Sequence, residues 1–170
     1  VSARPPQAAF HHLLTQAHVR QPSCHRVGDR LDRFRLDEQR HDVPLHEISP
    51  HLQHAIVAVE DRRFYRHPGI DPIGIARAVF RDVRSGSRAE GGSTLTQQLA
   101  RTLFLSNART VARKAKEASI AVLLEVQLTK DEILELYLNR VYLSAGVYGV
   151  EAMSSHLFRK PASGLTLAEA

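Results

Sequence analysis

The sequence predicts an all-α domain, on three observations. Apolar residues recur at i, i+3, i+4 and i+7 in one segment after another, most of these segments open on a capping residue, and alternating strand patterns are nearly absent. At 170 residues the chain fits one domain, which should bury about 70% of its unfolded surface. Hydrophobic residues at 43% and charged residues at 24% are globular proportions and argue against wholesale disorder.

Residues 1–44 are polar and His-rich, with Leu31, Phe34 and Leu36 as a poor strand pattern, and read as an N-terminal arm or linker ahead of a folded domain over 45–170. Ser49-Pro50 then supplies an N-cap and a first helical residue, with Leu52, Ala55, Ile56 and Val59 on one face and an end near Glu60-Asp61. Asp71-Pro72 repeats the start signal; Ile75, Ala76, Val79, Phe80 and Val83 form the stripe and Gly86 the stop. Thr94 and Gln97 have capping-box spacing, and Leu95, Leu99 and Leu103 continue one face. Residues 111–128 are rich in Ala, Leu, Lys and Glu, all strong helix formers. Thr129 with Glu132 opens a helix over 133–141, and 148–158 reads as the last full helix. Thr166 with Glu169 is one more capping box just before the chain stops, so a piece of a longer protein is expected.

Several function classes recede at once. Cys24 is the only cysteine, which excludes an internal disulfide and a cysteine-based zinc site. The longest apolar runs, 55–59 and 120–124, have five residues, against the roughly 20 that span a bilayer. No export-signal pattern is present, so any signal or anchor is expected outside these residues. The balance of 23 Lys+Arg against 18 Asp+Glu gives +5 and favours anionic partners. From residue 101 to 116 the charged side chains are Arg101, Arg109, Arg113, Lys114 and Lys116, with Glu117 at the edge. That patch carries no nucleic-acid reading motif, and nucleic acid is disfavoured.

Glu60 follows an apolar run, with Ile56 and Val57 one turn back, so partial desolvation would suit it to a general base. Spacing alone favours a plainer account, a helix-end carboxylate bridged to Arg62, Arg63 or a lysine. Glu117 among Arg113, Lys114 and Lys116 is either an i,i+4 pair or a carboxylate held ionised in a cationic nest. Gly91-Gly92-Ser93-Thr94 offers glycines, hydroxyls and a helix start able to bind an anion or a sugar hydroxyl, or else is only a capped loop. It lacks the Lys-Ser/Thr ending of a nucleotide-binding P-loop. Gln97 and Gln98 cannot both face the core at adjacent helical positions, and the pair either orients a polyhydroxylated ligand or is solvated surface. His67 reads as structural, and His51/His54 and His11/His12 lack a third ligand for zinc.

In order along the chain stand EDRRFYRHPGID (60–71), GGSTLTQQLAR (91–101), RKAKE (113–117), KDEILELYLN (130–139) and GVYGVEAMSSHLF (146–158). This series resembles the peptidoglycan glycosyltransferase domain, glycosyltransferase family 51, of class A penicillin-binding proteins and monofunctional transglycosylases. The resemblance implies a lysozyme-like helical fold with a small membrane-associating lobe at the extracytoplasmic, periplasmic face of the cytoplasmic membrane. It implies polymerisation of lipid II into a glycan strand with inversion and release of undecaprenyl pyrophosphate.

By resemblance, Glu60 is the catalytic base and Asp61 supports the site by hydrogen bonding. Arg109 and Lys114 face pyrophosphate, with Arg101 where the family usually has lysine. Glu117 is the second essential carboxylate, positioning those cations or a divalent ion, Mg2+ or Mn2+. Ser93, Thr94, Gln97 and Gln98 match cleft residues, and Glu135 and Asn139 face the cleft from the fourth motif. Partners implied are lipid II, the nascent glycan strand, the membrane surface and a cell-wall synthesis complex. Leu157 stands where the family usually has tyrosine. Two other classes compete: a glycan-cleaving hydrolase or lytic transglycosylase, which needs no cationic patch, and a binding remnant, which needs neither glutamate.

Overall fold

A computed structural model of the chain describes residues 42–86, 91–105, 110–144 and 146–170. The arm expected over 1–44 lies outside them except for its end. Among the described residues the helices are α1 (Pro50–Glu60), α2 (Pro72–Ser85), α3 (Leu95–Phe104), α4 (Val111–Gln127), α5 (Lys130–Arg140) and α6 (Val150–Phe158). A hairpin of β1 (Tyr142–Ser144) and β2 (Val147–Tyr148) joins α5 to α6. The expected all-α class holds, with this small sheet as its one departure among the described residues.

The centre of the fold is α3, which buries Leu95, Leu99, Ala100 and Leu103 between α4 and α5. It starts where it does because Thr94 closes a full capping box: its hydroxyl accepts the Gln97 N–H at 3.1 Å, and Gln97 Oε1 accepts the Thr94 N–H at 3.3 Å. The same device opens α5 at Thr129 and Glu132. Leu124 of α4 and Ile133, Leu134 and Leu138 of α5 complete the core with Phe64.

Four local expectations change. Ser49 precedes α1, but its hydroxyl donates to the Leu165 carbonyl at 2.8 Å instead of capping, tying the helix start to the chain's C-terminal segment. Tyr148, expected in the last helix, pairs with Tyr142 in the hairpin. Gly146 and Gly149, at φ 81° and 80°, turn the chain there and start α6 two residues later. Glu169 accepts both the amide and the hydroxyl of Thr166, at 2.9 and 2.7 Å, but closes a turn where a helix start was expected. Finally, the stripe on α2 does not cover a core. Ile75, Val79, Phe80 and Val83 are all exposed, Phe80 by 69% and Val83 by 80%.

Candidate active site

A cleft of about 380 Å³ opens where the end of α1 meets α2 and the loop before α3. Glu60 and Asp61 line it, together with Arg62 and Arg63, Arg77 and Arg81 of α2, and the 91–94 segment. The cleft brings four of the expected residues together: Glu60, Asp61, Ser93 and Thr94.

Glu60, the last residue of α1, is exposed. The expected desolvation over Ile56 and Val57 is therefore absent, because the helix ends with this carboxylate turned into the open cleft. Gln98 Nε2 donates to Glu60 Oε2 at 3.0 Å, and Gln98 Oε1 accepts from the Tyr137 hydroxyl at 3.3 Å. Burial, and after it the negative charge of Glu60, push the Tyr137 phenol up to about 12, against the pull of Arg101.

Asp61 is buried and faces inward. Both its oxygens lie 3.0 Å from His67 Nε2, and Oδ2 also accepts the N–H of Leu95, the first residue of α3, at 3.1 Å. The anion at the positive end of α3 is thus the protein's own carboxylate. Of the two readings of the 91–94 segment, these bonds favour the capped loop. They bear out the structural reading of His67.

Thr94 and Gln97 also point inward. Both are almost fully buried; the Thr94 hydroxyl donates to the Gly69 carbonyl at 2.6 Å, and Gln97 Oε1 lies 3.4 Å from Lys114 Nζ. They hold the cleft wall, with their side chains turned to protein partners. Gly91 and Gly92 have no positive φ, and a Cβ on either would meet nothing closer than 3.5 Å. The fold itself tolerates side chains there, so what the glycines keep open is the cleft.

Glu117, only 1% exposed, accepts from Arg113 Nη1 at 2.6 Å and from Lys114 Nζ at 2.5 Å. Lys114 Nζ also donates to Ser93 Oγ at 2.6 Å, so the cationic nest reaches the cleft's hydroxyl rim. The nest is real, and it is not a solvated surface pair. Arg101 is exposed on α3, while Arg109 lies outside the described residues.

Glu135 and Asn139 do not line the cleft. Glu135 Oε2 accepts the Leu45 N–H at 2.7 Å, and Asn139 pairs with both the N–H and the carbonyl of Val43, at 3.0 and 2.9 Å. They fasten the lead-in segment to α5.

A family model described as Transglycosylase matches residues 27–170. The chain belongs to the transglycosylase family. Among curated relatives, this transglycosylase-family chain is 50% identical over 133 residues to penicillin-binding protein 1A of Escherichia coli (strain K12), covering 78% of the chain and 16% of the relative. It is 48% identical over 132 residues to penicillin-binding protein 1F of Bacillus subtilis (strain 168), covering 78% and 18%. Penicillin-binding protein 2D of the same organism is 43% identical over 143 residues, covering 84% and 21%. The chain thus spans only about a fifth of the length of these relatives.

The donor set does not suit a divalent cation. No three His, Cys, Asp or Glu side chains gather among the described residues, and Glu117 turns both oxygens to guanidinium and ammonium. Tyr137 and, of the cleft arginines, Arg77 and Arg81 are absent from the sequence-based set. Arg77 and Arg81 stand at i,i+4 on α2, a signal that was legible; the contact of Tyr137 across two helices was not.

Proposed function

We propose that the chain is a peptidoglycan glycosyltransferase that joins lipid II units into β-1,4-linked glycan at the extracytoplasmic face of the cytoplasmic membrane. One observation carries the reading: an exposed carboxylate, Glu60, shares the cleft edge with Ser93, whose hydroxyl is bonded to a lysine of a buried cationic nest. Glu60 takes the proton of the acceptor 4-hydroxyl, whose oxygen attacks the anomeric carbon of the lipid-linked donor. The anomeric C–O bond breaks, and its electrons leave with undecaprenyl pyrophosphate in a single inverting displacement.

Fixed cations stabilise that developing charge, and their position matters more than their number. Lys114, held by Glu117 and Ser93, is placed for it, with Arg101 and Arg109 assigned beside it by family resemblance. No resident metal enters the reading. A glycan-cleaving hydrolase would leave this nest without work.

The lipid tail explains α2. Its exposed Ile73, Val79, Phe80 and Val83 alternate with arginines, as in helices that lie in a membrane interface. No helix among the described residues is long and apolar enough to cross a membrane. A cell-wall synthesis complex is the expected setting.

The test is polymerisation of fluorescent lipid II in detergent by the chain and by Glu60→Gln. Long glycan from the first and none from an equally folded second is expected. Polymer from the variant at the wild-type rate would remove Glu60 as base, and a folded wild type that makes none would refute the activity.

A further inference from the structure

An exposed glutamate at a helix end has several rotamers open to it, yet a base must be held near one geometry. Four arginines line the same cleft, Arg62 and Arg63 after α1, the latter paired with Asp71, and Arg77 and Arg81 on α2, so positive charge is offered from more than one element, and Arg101 stands on α3. Against them Glu60 has a neutral tether, the Gln98 amide at 3.0 Å. An amide has two ends, however, and only its NH2 end attracts a carboxylate. The other end of Gln98 is taken by the Tyr137 hydroxyl, which donates to Oε1 at 3.3 Å. Gln98 sits on α3 and the buried Tyr137 on α5, so the tether runs from the core outward to the cleft edge.

We propose that Tyr137 is a positioning residue for the reaction: by holding the Gln98 carbonyl it keeps the amide N–H on Glu60 and so fixes the carboxylate toward the acceptor hydroxyl. The proposal rests on Glu60 acting as the base. A phenol suits the task because it donates without adding a charge that would neutralise the base. Its raised pKa keeps it protonated, and therefore a donor, throughout the neutral range.

The experiment uses the whole chain as wild type, Tyr137→Phe, Gln98→Met and the double variant. Tyr137→Phe should lower kcat for lipid II polymerisation about 5- to 10-fold with KM within about twofold, since base placement suffers and substrate contacts do not. The double variant should be no slower than Gln98→Met. In parallel, the side-chain 15N amide signals of Gln98 should follow an acid titration in the wild type and lose most of that response in Tyr137→Phe. A kcat within twofold of wild type, or an unchanged amide response, overturns the proposal. If Tyr137→Phe does not fold, Gln98→Met decides: an unaltered kcat there overturns it too. A folded wild type that makes no polymer refutes the activity reading alone, and the amide signals still decide the tether.

Discussion

Replacing Glu117 with glutamine removes one charge from a site where three meet. In the folded protein its carboxylate is 1% exposed and bonded to Arg113, 18% exposed, and Lys114, 44% exposed. Breaking a fully buried pair by deleting one partner costs about 3–5 kcal/mol, largely because the other charge stays behind unpaired. Arg113 keeps 18% of its side chain in water, so its share falls just below that range, about 2–3 kcal/mol. Lys114 is half in water and adds less than about 1 kcal/mol. The glutamine oxygen can still accept one bond, so Glu117→Gln should lose about 2–3 kcal/mol, measured by urea unfolding. The melting temperature of a domain this size should fall by about 4–12 °C. Activity should fall further than stability, because Lys114 loses the anchor that sets it beside Ser93. A loss under about 1 kcal/mol would refute the reasoning. So would an Arg113→Met, Glu117→Gln double-mutant cycle showing no coupling.

Two further outcomes follow from single residues. Gly149 sits at φ 80° and ψ 149°, and an added Cβ would lie 2.9 Å from the Asn139 carbonyl oxygen. Gly149→Ala should therefore cost about 2–4 kcal/mol in urea unfolding, and a loss under about 0.5 kcal/mol would contradict the geometry. Tyr137 links stability to pH: its phenol is raised from the usual 10.0 to about 12, so the unfolded chain gives up this proton first. The resulting stability is complete below pH 10 and lost as pH rises from 10 to 12, by roughly 2–3 kcal/mol. Measured from pH 9 to 12, the wild type should lose that much more stability than Tyr137→Phe, and parallel curves would remove the effect.

What could be read from the sequence, and what could not, divides by the reach of each interaction. The capping boxes at Thr94 and Thr129 were legible because both partners lie within four residues. The Arg113–Glu117 pair was legible for the same reason, although its burial was not. Asn139, by contrast, finds its partner 96 residues away in Val43, and Asp61 meets Leu95 34 residues on. Spacing carries no trace of such bonds. The hairpin at 142–148 was missed because its strands are too short to show an alternating pattern, and only two glycines mark its turns.

The motifs group residues by chemistry, while the fold sorts them by direction. Glu60 and Ser93 line the cleft, with Gln98 and Lys114 bonded to them from its edge; Asp61 and Thr94 share that lining but, like Gln97 and Glu117, turn their side chains to protein partners. Both tasks call for the same kinds of side chain, since a group that orients a hydroxyl from a ligand can equally orient a neighbour. Burial separates the two sets, and burial is a property of the assembled core. Helix α2 is a further case. Its apolar period was visible, but a period defines a face without saying what the face meets. Helices α3 and α5 turn that face inward; α2 leaves Val79, Phe80 and Val83 in the open beside a cleft edged with arginines. A lipid-linked substrate needs both features on one side of the site, apolar surface for its tail and cations for its phosphates. That juxtaposition on one helix is what the proposed lipid-linked substrate would require.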